Sequence, residues 1–144
     1  MYTDVITLFN RVSGGRGEPD TWLPTVIKGA NVNIDRAVIL SKYGPDCKDK
    51  AVLNIRYRSE GGRVMVAGKL WAKPMEWDHS ADSLTFYPGK DFFWAGEWRD
   101  GEVSDADYGM EGFYGYMNRT KDNVFLISSF AQYRTIPHFE LVGK

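Results

Sequence analysis

The stretch Asp91-Phe92-Phe93-Trp94-Ala95-Gly96-Glu97-Trp98 decides the fold. Three consecutive aromatic side chains each take a large area out of water when buried. In a strand, successive side chains point to opposite faces, so Phe92 and Trp94 share one face and Phe93 takes the other. Both faces are then apolar, and the strand is expected at the centre of a sheet, covered on both sides. The segment that follows is acidic and reads as a helix. Ser104 stands three positions before Asp107, which places an N-cap hydroxyl and first-turn acid at the start of a helix running from 104 to about 117. Gly109, Gly112 and Gly115 weaken that helix and predict that it presses closely on the sheet or on a neighbouring subunit.

Working outward, Thr3 to Phe9 alternates, with Val5, Thr7 and Phe9 on one face and Ile6 and Leu8 on the other. Arg11 to Asp20 is glycine-rich, but its spacing fits neither a phosphate-binding loop nor a dinucleotide fingerprint and no helix follows, so it reads as a hairpin tip. Thr21 to Ile27 is a strand whose Pro24 demands an edge position or a bulge. After Lys28-Gly29 a further strand runs from Ala30 to Ile34, and Asp35 to Tyr43 is either a helical turn or a strand end. Gly44-Pro45-Asp46 opens a charged loop. Ala51 to Arg58 alternates and points Leu53, Ile55 and Tyr57 inward; Arg63 to Ala67 and Lys69 to Lys73 return after the turn at Ser59 to Gly62. Leu84 to Tyr87 enters another strand, and Val124 to Phe130 and His138 to Val142 close the order. The pattern predicts one mainly β (α+β) domain spanning 1–144, a small partly open β-barrel or sandwich with one short helix.

A chain of 144 residues is one domain by length and buries enough surface to fold without staples. No apolar run approaches the roughly 18 residues of a membrane span, and Met1-Tyr2-Thr3-Asp4-Val5 has neither the basic start nor the apolar core of a signal peptide. The expectation is a protein kept in the cytoplasm, with no membrane contact, where the Asn118-Arg119-Thr120 sequon carries no meaning. The formal net charge is -1, which argues against nucleic acid as the main partner of the surface. Charge is nonetheless segregated: basic residues, among them Arg56, Arg58 and Arg63, dominate from Lys42 to Lys73, and acids, among them Asp105, Asp107 and Glu111, dominate from Glu76 to Glu111. Ordinary solvated faces explain this pattern; complementary subunit-contact surfaces are the competing explanation, and head-to-tail contacts of that kind close into rings or grow into filaments.

No catalytic constellation is present: no nucleophile motif, no paired-carboxylate signature, and two histidines without a meaningful spacing. Cys47 has no histidine near it in sequence and reads as an incidental loop thiol. Asp78, His79 and Asp82 lie in one loop without a second ligand cluster, so no metal or other cofactor is expected. His138 is a solvated strand residue. Two binding readings stand beside a structural role. Exposed Trp71, Trp77, Trp94 and Trp98 could stack on a glycan, and Tyr57 interleaved with Arg56, Arg58 and Arg63 could hold single-stranded nucleic acid on a small cytoplasmic barrel.

Met1 to Asn10, Thr21-Trp22-Leu23-Pro24-Thr25-Val26 and Lys28-Gly29 resemble the start of short proteins from the structural gene cluster of tailed phages and prophages of Gram-positive bacteria. Asp91 to Glu97, the strand ending Phe125-Leu126-Ile127-Ser128-Ser129 and the finish Pro137-His138-Phe139-Glu140-Leu141-Val142-Gly143-Lys144 are similar to that family's order: a strand ending in Gly-Glu, a helix, an Ile-Thr-Ser-type strand and a terminal His-aromatic-Glu strand. The resemblance implies a non-enzymatic minor virion protein at the head–tail junction, of stopper, adaptor or minor capsid type. It implies a ring of copies beneath the portal, monomeric in isolation until templated, with portal and tail proteins as partners and DNA passing the lumen. The long loops, Arg11 to Asp20 and Tyr43 to Lys50, are where contacts to portal or tail are expected.

Overall fold

The computed structural model describes residues 2–34 and 51–144; the expectations for Asp35 to Lys50, Cys47 included, lie outside the described residues. Eleven strands are described: β1 (Asp4–Val12), β2 (Thr21–Ile34), β3 (Ala51–Arg56), β4 (Arg58–Glu60), β5 (Arg63–Val66), β6 (Lys69–Trp71), β7 (Ser83–Leu84), β8 (Phe92–Trp94), β9 (Val103–Ser104), β10 (Val124–Tyr133) and β11 (His138–Gly143). One short α-helix, α1 (Gly112–Thr120), accompanies them. Six strands form a closed barrel in the order β1-β8-β10-β11-β3-β2, because β2 pairs back onto β1, and β9 extends the sheet from β2. The six strands thus close on themselves, with β9 as an added edge.

The quoted aromatic stretch lies where its alternation placed it. β8 sits between β1 and β10, with Phe93 opposite Leu8 and Phe125 in the two ladders. Phe93 points into the barrel among Ile6, Leu8, Leu53, Ile55, Ile127, Phe139 and Leu141. Phe92 points outward into a second cluster with Phe9, Trp22, Val103, Phe113, Met117 and Val124, against which Trp94 packs. The second cluster is roofed by α1, which contributes its buried Phe113 and Met117. Phe113 meets Phe9 edge-on at 5.0 Å and Trp98 at 5.2 Å, the arrangement that aromatic quadrupoles favour.

β4, β5, β6 and β7 form a separate four-stranded sheet inserted between β3 and β8. It contributes Val66, Trp71 and Leu84, and the segment behind it Phe86, to the barrel core. The barrel interior is thus filled by side chains from its own strands and from this inserted sheet. Gly143 lets two aromatics close over β11: a Cβ there would stand 2.7 Å from Phe125 Cβ and 3.0 Å from Phe93 Cε1.

Three local expectations change. Lys28-Gly29 does not separate two strands; β2 is continuous, and Gly29, at φ +76°, is the extra residue of a bulge where Asp4 pairs with Ala30 and Val5 with Lys28. The bulge lets β2 leave β1 and pair with β3 from Asn31 onward. Pro24 lies in the part of β2 that β1 alone accompanies, so its missing N–H costs no ladder bond. Of the stretch Leu84 to Tyr87 only Leu84 lies in a strand, as the second residue of β7. The helix expected from 104 to 117 begins instead as a single 3-10 turn over Asp105–Tyr108, with Ser104 Oγ accepting from the Ala106 N–H. Gly109 and Gly112, both at positive φ, interrupt the chain, and the α-helix runs only over Gly112–Thr120.

Candidate functional site

The six residues predicted to make subunit contacts fall into two groups on separate elements. Arg56, Arg58 and Arg63 are all exposed, at the end of β3 and on the β4–β5 hairpin. Arg56 lies 4.1 Å from the centre of the Tyr2 ring, Arg58 pairs with Glu60 at 3.3 Å, and Arg63 stands opposite Glu60 in the ladder. At such exposure these pairs contribute little to stability, so the arginines remain available to a partner.

The three acids differ sharply from one another. Asp105 turns inward: its Oδ1 accepts from Trp22 Nε1 at 2.7 Å and from the Phe113 N–H at 2.9 Å. It therefore holds a buried indole and the first turn of α1 together, and its carboxylate serves the fold. Glu111 accepts from Arg119 Nε at 3.0 Å and Nη2 at 2.9 Å across the exposed side of α1, and this hydrogen bonding holds its carboxyl below the ordinary value. Asp107 is exposed and has no salt bridge among the described residues. Met110, fully exposed, projects from the same loop. Of the acidic set, Asp107 alone presents an uncommitted charge.

A cleft missed by sequence reasoning lies beside this region. Arg11, Ser13 and Asp20 from the ends of β1 and β2, Trp77 and His79 from the loop after β6, and Tyr87, Lys90 and Asp91 from the lead into β8 line a hollow of about 320 Å³. Asp91, 1 % exposed, is hydrogen-bonded on both oxygens. Oδ1 accepts from the Arg11 N–H at 2.9 Å, and Oδ2 from the Tyr87 N–H at 2.9 Å and Asn10 Nδ2 at 2.8 Å. Burial nevertheless outweighs these bonds and raises its pKa to about 6. Asp20, in the same cleft, is shifted the other way, held below its ordinary value chiefly by the Gly14 N–H and also by Arg11. His79 adopts φ +60° and packs on Trp77 with ring centres 4.7 Å apart. One signal for this cleft was present in sequence: a carboxylate directly before three aromatics, where burial of the aromatics carries it inside.

The arrangement does not assemble the two binding surfaces considered earlier. Trp71 and Trp77 are 8 % and 6 % exposed, so they offer no face to a sugar, and Trp94 and Trp98 lie half-buried against the second core cluster. Tyr57 is likewise buried, packing on Phe139 and donating its hydroxyl to the Tyr133 carbonyl at 2.9 Å, so it does not interleave the three arginines. In the polar loop, Asp78 accepts from Ser83 Oγ at 2.7 Å and from the Ser80 N–H at 3.1 Å. Among the described residues no group of three His, Cys, Asp or Glu side chains is placed to hold a metal. No described helix is long and apolar enough to cross a membrane.

Among the described residues these features define a closed six-stranded barrel with one helix packed on its outside, an inserted four-stranded sheet, and an outer surface of separated charge. Residues 1–144 match the model of a family of unknown function, DUF6751, and the chain belongs to that family. No curated protein and no solved structure matches it.

Proposed function

We propose that this chain is a non-enzymatic structural component of a tailed phage or prophage virion, a stopper, adaptor or minor capsid-like protein at the head–tail junction. The observation that carries the reading is a barrel filled by its own side chains and presenting its chemistry outward as separate basic and acidic elements. A filled, closed barrel is a stiff block, because close-packed interiors resist deformation. Arg58 and Arg63 on one hairpin and Asp107 on the loop before α1 supply unlike charges that successive copies can bring together in a ring. The resemblance of the opening, the Gly-Glu strand and the closing strand to virion proteins of Gram-positive phages supplies the place of assembly. Portal and tail proteins are the partners, with DNA passing the lumen. The rival reading, a cytoplasmic binding module for glycan or single-stranded nucleic acid, loses Tyr57, Trp71 and Trp77 as platforms, because all three are buried.

The test is made in a lysogen whose prophage encodes the chain. Deleting the gene is expected to leave filled or leaking heads without tails, and immunogold against the chain is expected to mark the neck of wild-type particles. Asp107→Lys, or the pair Arg58→Glu and Arg63→Glu, should lower incorporation while the purified variants melt as wild type does. Undiminished titre after deletion would refute the assignment. Normal incorporation of all three charge reversals would refute the charge pairing alone.

A further inference from the structure

The buried carboxylate of Asp91 lies at one end of a continuous run of polar contacts. Its Oδ1 holds the backbone N–H of Arg11. The side chain of the same arginine turns the other way, donating from Nε to Asp20 Oδ2 at 2.6 Å and lying 5.6 Å from the centre of the Trp22 ring. The Asp20 carbonyl accepts from the Asp105 N–H at 2.9 Å, and the Asp105 carboxylate holds both Trp22 Nε1 and the Phe113 N–H at the start of α1. Every step is a direct contact, and Arg11 is the hinge between the two halves.

The polar surroundings of Asp91 are not fully paired. Asn10, 1 % exposed, gives its Nδ2 protons to Asp91 Oδ2 and to the Thr85 carbonyl at 2.6 Å, and its own Oδ1 is buried without a partner. A proton on Asp91 converts charge-assisted bonds from the Arg11 and Tyr87 N–H groups into neutral ones, which are roughly half as strong. The carboxyl borders the cleft, where the other charged and titratable groups facing it are Arg11 and Asp20 from β1 and β2, His79 from the loop after β6, and Tyr87 and Lys90 from the lead into β8. The Arg11 N–H, the Asn10 amide, the Tyr87 N–H and the Lys90 charge favour the ionised form. Burial opposes them, and the balance falls close to neutrality.

We propose that Asp91, Arg11, Asp20 and Asp105 form a proton-responsive relay that couples the cleft to the first turn of α1 and the acidic loop before it. Loss of the Asp91 charge loosens the Arg11 backbone, Arg11 shifts on Asp20 and Trp22, and Asp105 repositions the helix start. The loop carrying Asp107 and Met110 is attached to that helix start, so the relay sets how this surface is presented.

The test is amide and indole NMR of the intact chain between pH 4.5 and 8. The Tyr87 and Arg11 amides, the Trp22 indole N–H and the Phe113 amide should move along one curve with a shared midpoint near 6. Asp91→Asn should abolish the curve at all four positions, and His79→Gln should leave it intact. Arg11→Lys keeps the backbone N–H but loses the fork on Asp20, so Tyr87 should still titrate while Trp22 and Phe113 become flat. Should Asp91→Asn fail to fold, the Arg11→Lys result decides. Flat Trp22 and Phe113 signals in the wild type, a curve that survives Asp91→Asn, or a shared curve that survives Arg11→Lys would each overturn the relay.

Discussion

Replacing Asp105 by alanine separates a carboxylate that serves the fold from its exposed neighbour. The substitution removes the acceptor of Trp22 Nε1, at 2.7 Å, and of the Phe113 N–H, at 2.9 Å. Trp22 is 2 % exposed, so its indole donor is left without water or protein partner. An orphaned buried donor costs about 1–3 kcal/mol, and losing the side-chain acceptor at a helix start costs about 0.5–2 kcal/mol. The two losses share one oxygen and add incompletely, which gives about 1.5–4 kcal/mol. For a domain of this length that corresponds to a melting point lower by roughly 4–15 °C. Asp107→Ala, two residues on, removes an exposed side chain without a salt bridge among the described residues and should fall within about 0.5 kcal/mol of wild type. The assay is urea unfolding of both variants by tryptophan fluorescence, with the indole N–H of Trp22 followed by NMR. A difference between the two variants of less than about 1 kcal/mol would refute the reasoning, because the bonds drawn to Asp105 would then carry no net stability.

Two further outcomes follow from packing and burial. Gly143→Ala places a methyl 2.7 Å from Phe125 Cβ, an atom fixed to the backbone that cannot swing aside, so the variant should lose about 1–3 kcal/mol in the same urea assay. Asp91 gives a pH dependence whose sign is set by its raised pKa. The folded chain binds this proton more tightly than the unfolded one, so the contribution is fully present below the ordinary value of 3.8 and is lost as pH rises through about 6. At roughly 1.4 kcal/mol per pH unit between those two values, the loss is about 3 kcal/mol. Asp91→Asn removes it, so wild-type stability relative to this variant, measured by urea melts from pH 3.5 to 7.5, should fall with rising pH; a flat or rising difference contradicts the burial.

The β architecture was legible because its signals are local. Alternation alone placed Leu53, Ile55, Tyr57, Phe139 and Leu141 inside and set Ile6 and Leu8 on a shared face, and the aromatic triplet announced a strand covered on both faces. Closure was not legible, since pairing of β2 with both β1 and β3 depends on a single bulge at Gly29, and a glycine after a lysine reads equally well as a break between strands. The helix was displaced for a related reason. Ser104 does cap a turn, but two glycines at positive φ let the chain stop and restart, so the acidic residues sit before α1. Sequence placed Asp105, Asp107 and Glu111 in one acidic group. It carries no information on which of them turns inward, because that depends on Trp22, more than eighty positions away.

The same remoteness explains why the most perturbed carboxylate escaped notice. Asp91 is drawn inside by covalent attachment to Phe92 and Phe93, whose burial on opposite faces of β8 leaves the preceding residue no route to the surface. A chain that buries such a strand must then supply donors around the captive carboxyl, and Asn10, Arg11 and Tyr87 do so from two other segments. Those donors lower the cost of the charge without removing it, which is why the group titrates near neutrality. The aromatic triplet that fixes the sheet thus also creates, one residue upstream, the group through which the barrel responds to protons.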